Sequence, residues 1–182
     1  EQDRYGHLGL PCGPFRDVAY YGTEAPLWSL REFAECELIR YFFTEADQSG
    51  ALEFAVDRLA EVLKEAALES PPGELRLGRT RVESLAQLCK TICDTVEDPD
   101  SYWFEGAATN TRRAVARRLK GTAGHVKDLV GPEGRLSFDR QLSVIDLHRL
   151  SDKAKSFVVG SVLQSLFAER EKAESPMTTY LV

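Results

Sequence analysis

The chain has little of what a membrane, secreted or metal-bound protein is built from. Its 182 residues include one Met, two Trp, three His and four Cys. No unbroken apolar run exceeds a few residues, far short of the ~20 that cross a bilayer, so no membrane partner is expected. Residues 1–20 carry no basic start followed by an apolar core, the pattern of a secretory leader. Reduced thiols and a cytoplasmic setting are therefore expected. The sequence contains no GxxxxGK[ST] phosphate loop, no GxSxG, no HExxH and no CxxC. By pattern alone it carries no complete active site.

Ligands for a metal are also sparse. His7, His125 and His148 are scattered, and Cys89 and Cys93 stand four apart on a predicted helix. Structural zinc sites use tighter paired spacings. The two thiols read instead as small apolar residues in a helix seam. Glu45–Glu53 resembles a calcium loop, with Gly50 at the tight turn, but the bidentate twelfth position is Val56. An inter-helix turn is the better reading.

What is present is charge and helical periodicity. Hydrophobic residues make up 43% and charged residues 29%, which supports a packed core and excludes wholesale disorder. The net charge of −6 hides a split. Residues 1–105 hold 10 Lys+Arg and 21 Asp+Glu, a net of −11, whereas residues 106–182 hold 13 and 8, a net of +5. Arg112, Arg113, Arg117, Arg118 and Lys120 cluster with no acid among them. Such a run marks a phosphate-binding face, or a solvated helix face paired with the acidic half of the same protein.

The 3.6-residue periodicity predicts helices over Ser29–Thr44, Ala51–Leu68, Arg81–Val96, Asn110–Lys120 and Ser151–Glu174. Ser29 with Glu32, and Thr80 with Glu83, read as capping boxes, and Ser151 or Asp152 as the last N-cap. Gly121-Thr122-Ala123-Gly124 reads as a short flexible turn. The trio Tyr102-Trp103-Phe104 is expected to plug a helix seam rather than to stack on bases. Short β-prone runs occur at Asp17–Tyr21, Ser143–Leu147 and Thr178–Val182. Strand, long helix, strand is a βαβ unit, with parallel strands and a right-handed crossover. Parallel sheets are normally covered on both faces, so this tail implies more sheet than the chain supplies. The expected class is α/β, mostly helical.

The stretch Gln141–Val182 (QLSVIDLHRLSDKAKSFVVGSVLQSLFAEREKAESPMTTYLV) resembles the HerA/FtsK branch of P-loop motor ATPases, in particular the bacterial HerA-like ATP-binding proteins. Ser143–Leu147 matches the first strand of that pattern, Asp152–Glu174 its long helix, and Tyr180–Val182 the start of the strand that ends in the Walker B acids. Leu8–Gly22 is similar to the segment after the phosphate loop, and Trp28–Leu68 resembles a helical insert of that region.

The resemblance implies a helical-bundle insert attached to part of a parallel RecA-like sheet. Residues 1–28 would be a lead-in and a short core strand, 29–130 the insert, and 131–182 a β-α-β part of the core. The Walker A loop would precede Glu1 and the Walker B acids would follow Val182. The complete protein would bind ATP and Mg²⁺, assemble as a homo-oligomeric ring and move or remodel DNA, while this chain alone would be inactive. Asp146, at the carboxyl end of its strand, is placed near the nucleotide site or in a turn or helix cap. Arg112, Arg113, Arg117, Arg118 and Lys120 would contact DNA or act between subunits. The alternative is a non-catalytic acidic helical module that binds a protein partner.

Overall fold

The computed structural model describes residues 26–43, 50–134, 136, 145, 147–148 and 150–172. These form a mostly helical body with two very short sheets. In chain order the elements are β1 (Trp28–Ser29), α1 (Leu30–Glu35), a 3-10 helix (Leu38–Phe42), α2 (Gly50–Glu69), β2 (Arg76–Leu77), β3 (Thr80–Arg81), α3 (Leu85–Asp94), a second 3-10 helix (Tyr102–Phe104), α4 (Thr109–Val126), β4 (Val130–Gly131) and α5 (Asp152–Lys172). The expected strands at Asp17–Tyr21 and Thr178–Val182 lie outside the described residues, as does most of the calcium-like loop. Of Ser143–Leu147, Ile145 and Leu147 are described; both pack on the core and neither is paired in a strand.

The capping box forms as the sequence predicts. Ser29 Oγ accepts from Glu32 N at 3.0 Å, and Ser29 N donates to Glu32 Oε2 at 2.7 Å. Such a cap is worth about 1 kcal/mol. The helix it starts does not reach Thr44. It stops at Cys36, and Glu37 takes a left-handed φ of 54° before the chain resumes as 3-10 helix. The Glu37 carboxylate is held by Lys64 Nζ at 2.8 Å and Arg40 Nη2 at 2.7 Å. Those contacts hold an unfavourable backbone in place. The periodic stripe concealed the break because Leu38, Ile39 and Phe42 are buried in either helix type.

α2 lays Leu52, Ala55, Leu59, Leu63 and Ala67 into the core and ends before Pro71-Pro72. Arg31 Nη1 donates to the Ser70 and Pro71 carbonyls at 3.0 and 2.8 Å, tying α1 to that end. The second predicted capping box is not formed. Thr80 lies in β3, in a hairpin whose turn places Gly78 at φ 61°, and the true N-cap is Ser84, which accepts from Gln87 N at 3.2 Å. α4 also departs from expectation. It runs six residues past Lys120, through Gly121 and Gly124, because Thr122, Ala123 and Val126 continue the buried face begun by Val115 and Leu119. Burial of that face outweighs the roughly 1 kcal/mol that each helical glycine costs relative to alanine.

The core closes on an aromatic cluster. Phe157 of α5 meets Trp28 edge-on at a centroid distance of 5.5 Å and Phe42 at 5.6 Å, with Phe33 at 6.3 Å. Trp28 Nε1 donates to the buried Ser165 Oγ at 3.1 Å. Gly160 lets the Tyr41 ring lie against α5, since a Cβ there would overlap ring carbons. Of the aromatic trio, Trp103 and Phe104 plug the seam and Tyr102 stays exposed.

β1 and β4 pair in parallel, Trp28 opposite Val130 and Ser29 opposite Gly131. Leu27 N donates to Leu129 O at 2.9 Å and Leu136 N to Leu27 O at 2.8 Å. The helical segment thus leaves and returns at one place. Neither strand is visible in the sequence, because two residues are too few for an alternation.

Candidate functional site

The two most distinctive surfaces are the outer faces of α4 and α5. On α4, residues 113, 117, 120, 124 and 127 recur at three- and four-residue steps and share one face, and all are exposed.

The five cations singled out in the sequence divide into two groups. Arg112 is used internally: Nε donates to Ala107 O and Nη1 to Asp98 O, both at 2.7 Å, bracing the loop that leads into α4. Arg113 makes a two-pronged pair with Glu97, Nε and Nη2 each at 2.7 Å from a carboxylate oxygen. The Arg113 hydrogen bonds hold the Glu97 carboxyl below its ordinary value and raise the guanidinium's in turn. Arg118 donates to Ala114 O at 3.3 Å, back along its own helix. Arg117 and Lys120 remain exposed, with no ion-pair or hydrogen-bond partner among the described residues. Asp146 lies outside the described residues.

Structure adds two cations that sequence proximity did not group with them. Lys127, just past the end of α4, is exposed on the same face and unpaired among the described residues. Lys153, in the first turn of α5, reaches over Gly121, its Nζ 4.0 Å from where a Cβ would stand. No ion pair engages it among the described residues. Lys120 is close enough to Cys93 of α3 to oppose the upward push that burial gives that thiol. Period-3.6 counting carried past the glycines would have placed Lys127 on this face; Lys153 is joined to it only by the tertiary packing of α5.

α5 has two apolar faces. Ala154, Phe157, Val158, Ser161 and Ser165 face the helical body and are buried. Val159 and Phe167, on the opposite side, are 48% and 64% exposed, with Leu163 and Leu166 half-buried beside them. The inward face carries small polar residues, one of which, Ser161 Oγ, is buried without a partner.

Cys89 and Cys93 are inert by environment. Burial pushes the Cys89 thiol up to about 12, and Cys93 lies against the Ala116 carbonyl at 3.7 Å. Among the described residues no three His, Cys, Asp or Glu side chains gather as a metal site, and no helix is long and apolar enough to cross a membrane.

No protein-family model and no curated protein matches this chain.

Proposed function

We propose that this chain is a helical insert, residues 29–130, carried on part of a parallel P-loop motor core of the HerA/FtsK type. The complete protein would use ATP to move or remodel DNA. The observation that carries the reading is the second apolar face of α5. A helix with apolar side chains on opposite sides is one buried between two layers. The helical body supplies one layer. The other would be a sheet of the complete protein, to which Thr178–Val182 would contribute a strand; of the expected strand Ser143–Leu147, Ile145 and Leu147 pack on the helical core unpaired.

The β1–β4 junction supports the same reading. An insertion into a core needs its two ends side by side, and Trp28 stands opposite Val130. Among the described residues no three His, Cys, Asp or Glu side chains gather as a metal site, and the sequence holds no phosphate loop. The reading therefore assigns ATP and Mg²⁺ to parts of the complete, ring-forming protein outside this chain.

The test is ATP hydrolysis by the complete gene product, with and without duplex DNA. Mg²⁺-dependent turnover that rises with DNA is expected. A product that hydrolyses no ATP, yet recovers a basic protein in a pull-down, would replace this reading with the acidic interaction module.

A further inference from the structure

The cation row on α4 and α5 belongs to the net-positive part of the sequence, and the core does not need it. Arg117, Lys120, Lys127 and Lys153 are exposed and have no ion-pair partner among the described residues. Unpaired like charges held close together repel one another, and a polyanion relieves that repulsion. Of the nearby acids, Asp152 is engaged by Lys155 at 3.4 Å and Glu97 by Arg113, while Asp94, near Cys93 as Lys120 is, and Asp128, beside Lys127, form no ion pair with the row among the described residues.

The shape of the row selects among anions. Arg117 to Lys127 spans ten residues of helix, about 15 Å. With Lys153 the row holds four cations, enough to neutralise about four phosphates of a nucleic-acid backbone. A single phosphate would call for converging cations, not a line. A membrane would call for apolar anchors on the same face, whereas here Gly121 and Gly124 lie between the cations. In front of Gly124 there is open space, and in front of Gly121 only the tip of Lys153. The floor of the row is therefore low enough for a sugar-phosphate backbone to approach the helix closely.

We infer that Arg117, Lys120, Lys127 and Lys153 form a sequence-independent track for the phosphodiester backbone of a nucleic acid. Arg112 and Arg113, the first residues of the basic run, are not part of it. This inference rests on the charge geometry alone and does not require the motor reading.

Fluorescence anisotropy of the 182-residue chain against labelled 20-mers of duplex DNA, single-stranded DNA and RNA tests it. Four neutralised phosphates predict a log–log salt slope of about −3.6 on duplex and about −2.8 on single strands. Duplex affinity should then fall about 150-fold between 50 and 200 mM salt. The double variant Lys120→Gln/Lys127→Gln should flatten the duplex slope by about two. Arg79→Gln, an exposed cation in the β2–β3 hairpin, should leave the slope unchanged; circular dichroism reports that both variants are folded. The three nucleic acids together identify which one the track takes. Absence of binding to all three at 50 mM salt overturns the inference. So does an unchanged slope in the folded double variant, or equally tight capture by poly-glutamate or by vesicles containing phosphatidylserine.

Discussion

Phe157→Ala separates the two faces of α5 most sharply. Phe157 is fully buried, and three aromatic rings lie within 6.3 Å of its centroid. Rigid rings on three sides collapse poorly into the space a phenyl leaves, so the cost belongs in the range of about 3–5 kcal/mol for a buried Phe→Ala change. For a chain of this length, each kcal/mol lowers the midpoint by about 2–4 °C, giving a fall of about 6–20 °C. Phe167→Ala, on the exposed face of the same helix, should cost within about 0.5 kcal/mol in the isolated chain. Thermal unfolding followed by circular dichroism and tryptophan fluorescence measures both, since Trp28 packs against Phe157 edge-on. Phe157→Leu, which keeps part of the volume, should fall between them if the alanine variant does not fold. Equal midpoints for Phe157→Ala and wild type would refute the packing assigned to α5, and so would equal losses at the two phenylalanines.

Other substitutions test separate links. Gly134→Ala drives a Cβ into Ser29 N and Glu32 Oε2 of the capping box, with the Trp28 carbonyl carbon at 2.8 Å, and should destabilise by about 1–3 kcal/mol in urea unfolding. Gly124→Ala meets nothing within 4 Å in the interior of α4 and should stabilise by about 0.5–1 kcal/mol in the same assay. Glu37 has its carboxyl lowered by the Lys64 hydrogen bond, with Arg40 adding to the effect against desolvation. Its contribution is thus present above the ordinary carboxylate value of 4.5 and is lost as pH falls through the lowered one. In a series of melting curves, Glu37→Gln should flatten that acid limb while leaving a lower midpoint near neutrality. With a thiol reagent at pH 8, Cys89 should stay unlabelled until the chain unfolds, as a thiol pushed up to about 12 offers almost no thiolate.

The parts of the fold legible in the sequence are those where one periodicity runs unopposed. α2 and α3 bury the stripes that spacing predicts, and α5 starts at Asp152, with Ser151 Oγ accepting from Ala154 N at 3.4 Å. Misreadings arise where local and tertiary preferences conflict. Gly121 and Gly124 signal a turn locally, yet the buried Thr122, Ala123 and Val126 keep the helix going. Glu37 carries no local signal for a left-handed residue, because the cations that hold it come from two different elements. The β2–β3 hairpin did leave a trace in Leu77-Gly78-Arg79-Thr80, a glycine at the first central position of a two-residue turn. The cation site was half legible. Sequence proximity joined Arg112 and Arg113 to Arg117 and Lys120, but specific acceptors separate them, and packing brings in Lys153.

The central claim, that the helical body is set into a motor core, is tested most directly by sequencing the gene on both sides of the segment encoding Glu1–Val182. The account predicts a GxxxxGK[ST] loop encoded upstream and an acidic pair closing the strand that continues from Tyr180. An open reading frame with no phosphate loop upstream would contradict it.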